Sequence, residues 1–216
     1  MTTFLQAVND VLVRLREDEV ATVTENSYSK LIGKLINDSK RSVEDAHTWN
    51  ALGSTLTAST SANIFNYVLV GSGQRFKVLN VFADDADAFM TQRESSWMTQ
   101  NLLKNTVQKG RPQYYNFNGV DSNGDTQVDL FPVPDAAYTI RFNLYIPQAT
   151  LASDSTVIQV PSEPVILGAY ARAIAERGED NGLASADAYA LYRSSLADAI
   201  ALDNNHFLDN QVWFSV

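Results

Sequence analysis

The sequence predicts an α+β protein in which a helical bundle, built from N- and C-terminal helices, carries an inserted antiparallel β subdomain. Apolar residues recur at helical spacing near both ends of the 216-residue chain, which is typical of amphipathic helices. From Ser54 to Pro147 the apolar period falls toward two and Thr, Val, Tyr and Phe are enriched, as in strands. We therefore predict four parts: a helical hairpin at 1–53, a β-rich subdomain at 54–160, C-terminal helices at 161–205 and an aromatic tail at 206–216.

The N-terminal part predicts two helices joined by a Thr-rich linker. The first runs from Thr3 to about Arg16, and Gln6 stands three residues after Thr3, which completes a capping-box pattern. The second runs from Ser29 to about Asn50, with Trp49 in its apolar stripe and Gly53 at the position of a C-terminal stop. We expect its opposite, exposed face to carry the charged residues Lys34, Asp38, Lys40, Arg41 and Glu44.

The middle of the chain predicts an antiparallel sheet. Asn123-Gly124 is the strongest hairpin signal, and Gly71–Gly73 separates two strands as a tight hairpin would. The region from Asp84 to Lys109 is less regular, with a short helix or a loop around Phe89–Leu103. The predicted strands are Asn63–Val70, Arg75–Ala83, Gln113–Phe117, Thr126–Phe131 and Tyr138–Ile146.

The C-terminal part predicts a short β-like run at Thr156–Val160 and two further helices. Ser162 is expected to cap a helix from about Glu163 to Arg177, and Gly178 to end it. The last helix is expected from about Ser185 to Asp203, with an apolar side of Tyr189, Tyr192, Leu196 and Ala199 or Ile200. Each helix has one apolar stripe that needs cover, so we expect the helices of both ends to form one bundle that buries Trp49 and Tyr170.

Composition excludes several classes of function. Asp and Glu total 25 against 16 Lys and Arg, for a formal charge of −9, so a surface that grips the phosphate backbone of DNA is not expected. There is no cysteine, which rules out thiolate catalysis, disulfides and Cys-based zinc sites. The histidines are two, His47 and His206. Since neither a signal peptide nor an apolar run of membrane-spanning length is visible, we expect a soluble protein of intracellular origin.

The sequence contains no motif that predicts catalysis. Oxygen ligands alternate over Asp121–Asp129 as in calcium loops, but Thr126 and Pro132 stand where such a loop needs Gly and Glu. A hairpin turn is therefore favoured there, with cation binding left open. The carboxylates of Asp84–Asp87 could bind a cation or serve a hydrolase, although a solvated loop is favoured. Gly71–Gly73 is followed by a strand, not by the helix of a phosphate loop. We predict no catalytic residue, metal site or cofactor.

The C-terminal tail is unusually apolar for a segment beyond the last helix. Its large side chains either fold back as a final strand or dock onto another subunit, because Trp and Phe bury much area for few frozen torsions. We predict an intersubunit anchor formed by Phe207, Leu208, Val212, Trp213, Phe214 and Val216.

Two regions of the chain carry a resemblance to a known family. The order and type of the helices there resemble the head-to-tail adaptor family of tailed phages, including the tail tubular protein A type of short-tailed phages. The segments that carry it are Ala7–Leu12, Tyr28–Ile32 and Trp49-Asn50 near the N-terminus, and Ile146–Leu151, Val157–Pro161, Val165–Asp180 and Tyr189–Ile200 nearer the C-terminus.

The resemblance implies a non-enzymatic virion protein at the head–tail interface, assembled in the host cytoplasm. It implies a homo-oligomeric ring, commonly twelvefold, whose helical part docks under the portal protein and whose β part meets tail or nozzle proteins. DNA would pass through the central channel without specific binding, and no membrane is involved. The alternative is a β-rich carbohydrate- or receptor-binding structural subunit, in which tyrosines and Trp97 line a sugar groove.

Overall fold

The computed structural model describes residues 2–178 and 183–205. Within these residues the protein is α+β, with five α-helices and eight strands in two sheets that are mostly antiparallel. The chain divides into two compact units. A helical unit comprises the described residues of 1–52 and 148–216, and a β unit comprises Gly53–Pro147. The β unit therefore interrupts the helical unit in sequence.

The elements are numbered in chain order. The helices are α1 (Phe4–Arg14), α2 (Ser27–Ala46), α3 (Ser95–Leu102), α4 (Ser162–Arg177) and α5 (Leu183–Asn204). The strands are β1 (Gly53–Ser59), β2 (Asn66–Val68), β3 (Lys77–Ala83), β4 (Ala88–Phe89), β5 (Thr91–Gln92), β6 (Tyr114–Val120), β7 (Thr126–Phe131) and β8 (Thr139–Tyr145).

Both N-terminal helices begin with a reciprocal cap. The Thr3 hydroxyl accepts a bond from the Gln6 N–H at 3.3 Å while the Gln6 side chain accepts from the Thr3 N–H at 2.9 Å, so the predicted capping box is confirmed. Helix α2 starts earlier than predicted because Asn26 and Ser29 form a second such pair. Two of the donors that a helix start leaves unpaired are thereby satisfied.

The predicted end of α2 is wrong. The helix stops at Ala46, and His47 is already extended, with φ −145°. Trp49 is nevertheless buried in the helical core, with 1% of its surface exposed, and its indole N–H donates to the Val43 carbonyl at 2.7 Å. Gly53 does not stop a helix but begins β1. The chain thus leaves the helical unit with Trp49 folded back onto the end of α2.

One hydrophobic core fills the helical unit. Side chains of α1, α2 and α4 contribute most of it, and α5 adds Tyr192. Tyr170 is only half-buried, whereas Trp49 is buried. Gly168 of α4 is a point of close approach, since a Cβ there would collide with the Ser39 hydroxyl and touch the Tyr192 ring at 3.0 Å. The largest members of this core are Phe4, Leu12, Ile32, Ile36, Val43, Trp49, Val165 and Tyr192.

The C-terminal helices follow the prediction closely. Helix α4 ends where Gly178 adopts the left-handed conformation, with φ 64°, which a glycine tolerates without strain. Ser162 is its first residue and not its cap, a position held by Pro161. The β-like run at Thr156–Val160 is not a strand; among the described residues its pairing is a single bridge from Val157 to Thr3.

The β unit contains two sheets. Sheet 1 has the order β1-β8-β3-β4 and sheet 2 the order β2-β7-β6-β5. The apolar period of two expected in this part of the chain is confirmed in β8, since Ile140, Phe142 and Leu144 are all buried. Asn123-Gly124 joins the antiparallel neighbours β6 and β7 as predicted. The hairpin predicted at Gly71–Gly73 is wrong, because this turn leads from β2 in sheet 2 to β3 in sheet 1.

Candidate assembly surfaces

The outer side of α5 exposes large apolar side chains. Its inner side packs on α4 through Ala188 and Tyr192, which are buried, and burial raises the pKa of the Tyr192 phenol above its ordinary value. Leu191 and Leu202 share one outward side of the helix and are 60% and 69% exposed, whereas Tyr189, 53% exposed, lies on a different side, because residues two apart point about 200° apart on an α-helix. Tyr189 was expected on the buried stripe, and that expectation is wrong. An apolar helix side left in water is typical of a surface that contacts another protein.

A groove runs along this exposed side of α5. Leu191 and Leu202 line it from α5, Pro164 and Leu167 from α4, and Arg14 from the end of α1. Two acidic residues, Glu163 and Asp198, also line it. The groove and the outer side of α5 together form a continuous, partly apolar surface. The sequence indicated this surface only weakly, because alanines and leucines occur all round α5 and blur a single stripe.

A buried ion pair fixes the chain where it re-enters the helical unit. Lys40 Nζ donates to Glu44 Oε1 at 2.9 Å, to the Gln148 carbonyl at 2.7 Å and to the Ala149 carbonyl at 3.2 Å. The Gln148 N–H donates to the same Glu44 oxygen at 3.1 Å. The two side chains are 3% and 0% exposed, so the prediction that they lie on an exposed face of the second helix is wrong. We call Lys40, Glu44, Gln148 and Ala149 the re-entry clamp.

One turn before Lys40 in α2, Asn37 also binds the returning chain. Its side-chain amide donates to the Leu151 carbonyl at 3.1 Å and accepts from the Leu151 N–H at 2.8 Å. Asn9 of α1 pairs in the same reciprocal way with Val20, at 3.0 Å for both bonds. Irregular backbone beside the helices therefore has its polar groups satisfied by side chains.

The carboxylates of Asp84 and Asp85 are engaged by neighbouring groups of the β unit. The guanidinium of Arg141 donates to Asp84 at 2.8 Å, and the Thr139 N–H donates to Asp85 at 2.7 Å. Asp87 lies in the left-handed region, with φ 51°, at the end of a short 3₁₀ turn. Among the residues that the structure describes, no group of three or more His, Cys, Asp or Glu side chains could hold a metal ion.

The segment Asp121–Asp129 comprises the turn between β6 and β7 and the first four residues of β7. Asp121 Oδ1 accepts from the N–H groups of Asn123 and Asp125, both at 2.9 Å, as in the turns that Asp favours. Asp125 in turn accepts from the Gly73 N–H at 3.1 Å. Asp129 accepts from the side-chain amides of Asn66 and Asn118. Each of these carboxylates therefore serves the turn or the sheet.

Trp97 is part of a small core of its own. Its ring packs edge-on against Tyr114 and Phe131 at centroid distances of 5.1 and 5.4 Å, and the Arg93 guanidinium lies 5.4 Å from its centroid. Arg93 also lies 4.8 Å from the Tyr114 ring. Cation–π contact and edge packing account for the surroundings of this residue, which does not favour the sugar-groove alternative.

The exposed strand β1 is the long edge of sheet 1. It pairs with β8 over its full length, from Gly53 opposite Tyr145 to Ser59 opposite Thr139. Leu56 and Ala58 pack at the rim of the β core, while Thr55, Thr57 and Ser59 are exposed. The sequence pattern does not predict this strand, because its Ser and Thr content gives only a weak apolar alternation. Its seven residues are Gly-Ser-Thr-Leu-Thr-Ala-Ser.

The predicted anchor residues lie outside the described part of the chain. These are Phe207, Leu208, Val212, Trp213, Phe214 and Val216, which follow the end of α5.

Comparison with known families decides what kind of protein this is. The model of the SU10 adaptor protein family matches residues 2–211. The chain belongs to the SU10 adaptor protein family. This is a family of phage head–tail adaptor proteins, so this SU10 adaptor is a structural component of a phage particle, and the family is not known as an enzyme family. No curated protein matches the chain.

No helix within the described residues of this SU10 adaptor is long and apolar enough to cross a membrane.

Proposed function

We propose that this SU10 adaptor forms a homo-oligomeric ring between the portal and the tail of a phage particle, with DNA passing through its central channel. The ring is twelvefold and of the tail tubular protein A type, as the resemblance to head-to-tail adaptors implies. In this proposal the helical unit contacts the portal protein and the β unit contacts tail or nozzle proteins. Membership in the SU10 adaptor family supports it.

The observation that carries the ring is the exposed apolar side of α5. Leu191 and Leu202 are 60% and 69% exposed in the single chain, next to a groove lined by Leu167 and Pro164. Fully burying a leucine side chain contributes about 1.5–3 kcal/mol. The same contact is repeated at each interface of a closed ring, so a modest contact per subunit gives a stable assembly.

The shared helical core supports a further part of the proposal, a single bundle made from both ends of the chain. Side chains of α1 and α2 are buried in the same cluster as those of α4 and Tyr192 of α5. The close approach at Gly168, between Ser39 and Tyr192, brings three of the helices to one point. A bundle formed in this way gives a rigid platform on which α5 presents its outer side.

The charge of the chain supports the proposed passage of DNA. The formal net charge is −9, and a surface of that sign repels phosphate instead of binding it. We propose that the inner surface of the ring is net negative or neutral, so that DNA slides through it without adhering.

The ring is tested by measuring the mass of the purified full chain, alone and with its portal protein, by native mass spectrometry and light scattering. For the assembled chain we expect a mass that is a whole-number multiple of 23.8 kDa, as a closed ring requires. The variant Leu191→Asp/Leu202→Asp places charge on the outer side of α5 and should reduce assembly without unfolding the chain. Leu103→Asp in the β unit, where Leu103 is 76% exposed, is the matched control and should assemble normally.

Two results would overturn the proposal. One is a chain that stays monomeric both alone and with the portal protein. The other is equal loss of assembly in the α5 variant and in Leu103→Asp, which would show a general effect of added charge and not a contact made by α5.

A further inference from the structure

The open edge of sheet 1 differs from the other edges of the two sheets. Among the described strands, the edges are β1, β4, β2 and β5. Strands β4 and β5 have two residues each and β2 has three, whereas β1 has seven. A long edge strand presents a row of backbone N–H and C=O groups to which another strand can bond.

The outward backbone groups of β1 can be assigned from the register. Just beyond the strand, the Thr60 N–H donates to the Tyr138 carbonyl at 2.9 Å. Bonded and non-bonded pairs alternate along an antiparallel ladder, so Leu56 and Ala58 bond to β8. The N–H and C=O groups of Thr55, Thr57 and Ser59 therefore point away from it. No backbone group in the described part of the chain bonds to them.

The edge lacks the usual protections against strand addition. Proteins block long edges with lysine, proline or a bulge. Residues 53–59 contain no charged residue and no proline, and their pairing with β8 shows no register shift. Leu56 and Ala58 are only partly buried at the rim of the β core, so an added strand would also cover apolar surface.

A segment of suitable chemistry follows α5. Residues 211–216 read Gln-Val-Trp-Phe-Ser-Val, with Val, Trp and Phe of high strand preference. In an extended segment Val212, Phe214 and Val216 share one face, which matches the row of Leu56 and Ala58. The segment is uncharged, as β1 is, and six residues span about 20 Å at roughly 3.3 Å each, close to the length of β1.

We propose that residues 211–216 of a second copy of this chain add a strand to the free edge of β1. Main-chain bonds to Thr55, Thr57 and Ser59 supply the attachment, and Val212, Phe214 and Val216 continue the apolar face of sheet 1, as in other cases of strand addition. Residues 206–210 serve as the connection from α5. This inference rests on the proposed assembly of copies and names the surface that receives the tail.

Cross-linking tests this placement cleanly because the chain contains no cysteine. A mass-tagged Thr57→Cys chain is mixed with an untagged Ser215→Cys chain, and a short bifunctional maleimide is added. We expect a tagged–untagged product in the mixture and none with either chain alone. Val68→Cys on the edge β2 and Leu191→Cys on α5 are control acceptors and should give at least about tenfold less product with Ser215→Cys.

A second variant tests the backbone bonds themselves. Thr57→Pro removes an outward N–H and leaves the bonds to β8 in place, which an edge strand tolerates. We expect association between copies to weaken about tenfold or more. The net free energy of one lost hydrogen bond corresponds to nearly a tenfold change in affinity, and the same bond is lost at every interface of the assembly. Circular dichroism of the dilute chain should show an intact fold.

The outcomes separate this inference from the proposed ring. Assembly by mass without a Thr57–Ser215 product, or with product mainly at Val68 or Leu191, overturns the strand addition and leaves the ring standing. A Thr57→Cys/Ser215→Cys chain that cross-links within itself at high dilution also overturns it, because the tail then occupies its own sheet. A chain that never assembles contradicts the ring, and the strand addition with it.

Discussion

Removing the lysine of the re-entry clamp should destabilise the helical unit strongly. In Lys40→Met the carboxylate of Glu44, 0% exposed, loses its 2.9 Å partner, and the Gln148 and Ala149 carbonyls lose their donor. Breaking one side of a buried ion pair costs about 3–5 kcal/mol. At roughly 2–4 °C per kcal/mol for a chain of this size, the melting temperature of the helical unit should fall by about 6–20 °C.

The measurement is thermal unfolding for the melting temperature and urea unfolding for the free energy, both followed by the fluorescence of Trp49, whose burial in the helical unit makes it a local reporter. Trp97→Phe and Trp213→Phe remove the other two tryptophans. Lys34→Met is the matched control, because Lys34 is exposed on the same helix, and surface changes of this kind stay within about 0.5 kcal/mol.

A double variant separates the cost of an uncompensated charge from the value of the pair. Lys40→Met/Glu44→Leu removes both charges, and an apolar replacement of a buried pair is often neutral or stabilising. We expect it to recover much of the stability lost in Lys40→Met. If Lys40→Met loses no more than Lys34→Met, the clamp does not hold the returning chain and the reasoning is refuted.

Three further predictions concern packing, pH and DNA. Gly168→Ala should lower the free energy of unfolding by about 1–3 kcal/mol through overpacking against Ser39 and Tyr192, and Ser39→Gly in the same chain should relieve part of that loss in urea unfolding. Burial raises the pKa values of Tyr115 and Tyr192. Above about pH 10 the unfolded chain therefore releases these phenol protons first, and stability should fall as pH rises; Tyr115→Phe should flatten that fall in alkaline denaturation. The assembled protein should show no salt-sensitive affinity for duplex DNA in a binding titration, and steep weakening with added salt would contradict the proposed channel surface.

The parts of the fold that local pattern decides were predictable. The capping box at Thr3, the glycine stop at Gly178 and the buried alternation of β8 follow from short stretches of sequence. Strand β1 was missed because Ser and Thr give little apolar contrast, and its partner residues in β8 lie 80 to 92 positions away. Pairing over such a distance is a tertiary choice that no local window contains.

The candidate surfaces also include features that the local sequence predicts and features that it does not. The apolar character of the tail can be predicted from its residue types. The exposure of Tyr189 and the burial of Lys40 and Glu44 cannot be predicted in this way. Charged residues are usually expected outside, and these two are inside because the carbonyls of Gln148 and Ala149 need donors there. That need arises only when the chain returns from the β unit.

The pairing of β1 with β8 also makes the β unit a self-contained insert. Gly53 and Tyr145 are partners across the ladder, so the strand that enters the unit and the strand that leaves it are separated by about 5 Å. The two ends of the insert are therefore always one strand spacing apart, whatever residues lie between them. A turn of a few residues could replace the whole insert, and inserts of other lengths or shapes could be exchanged at this junction without changing the distance that the helical segments must bridge.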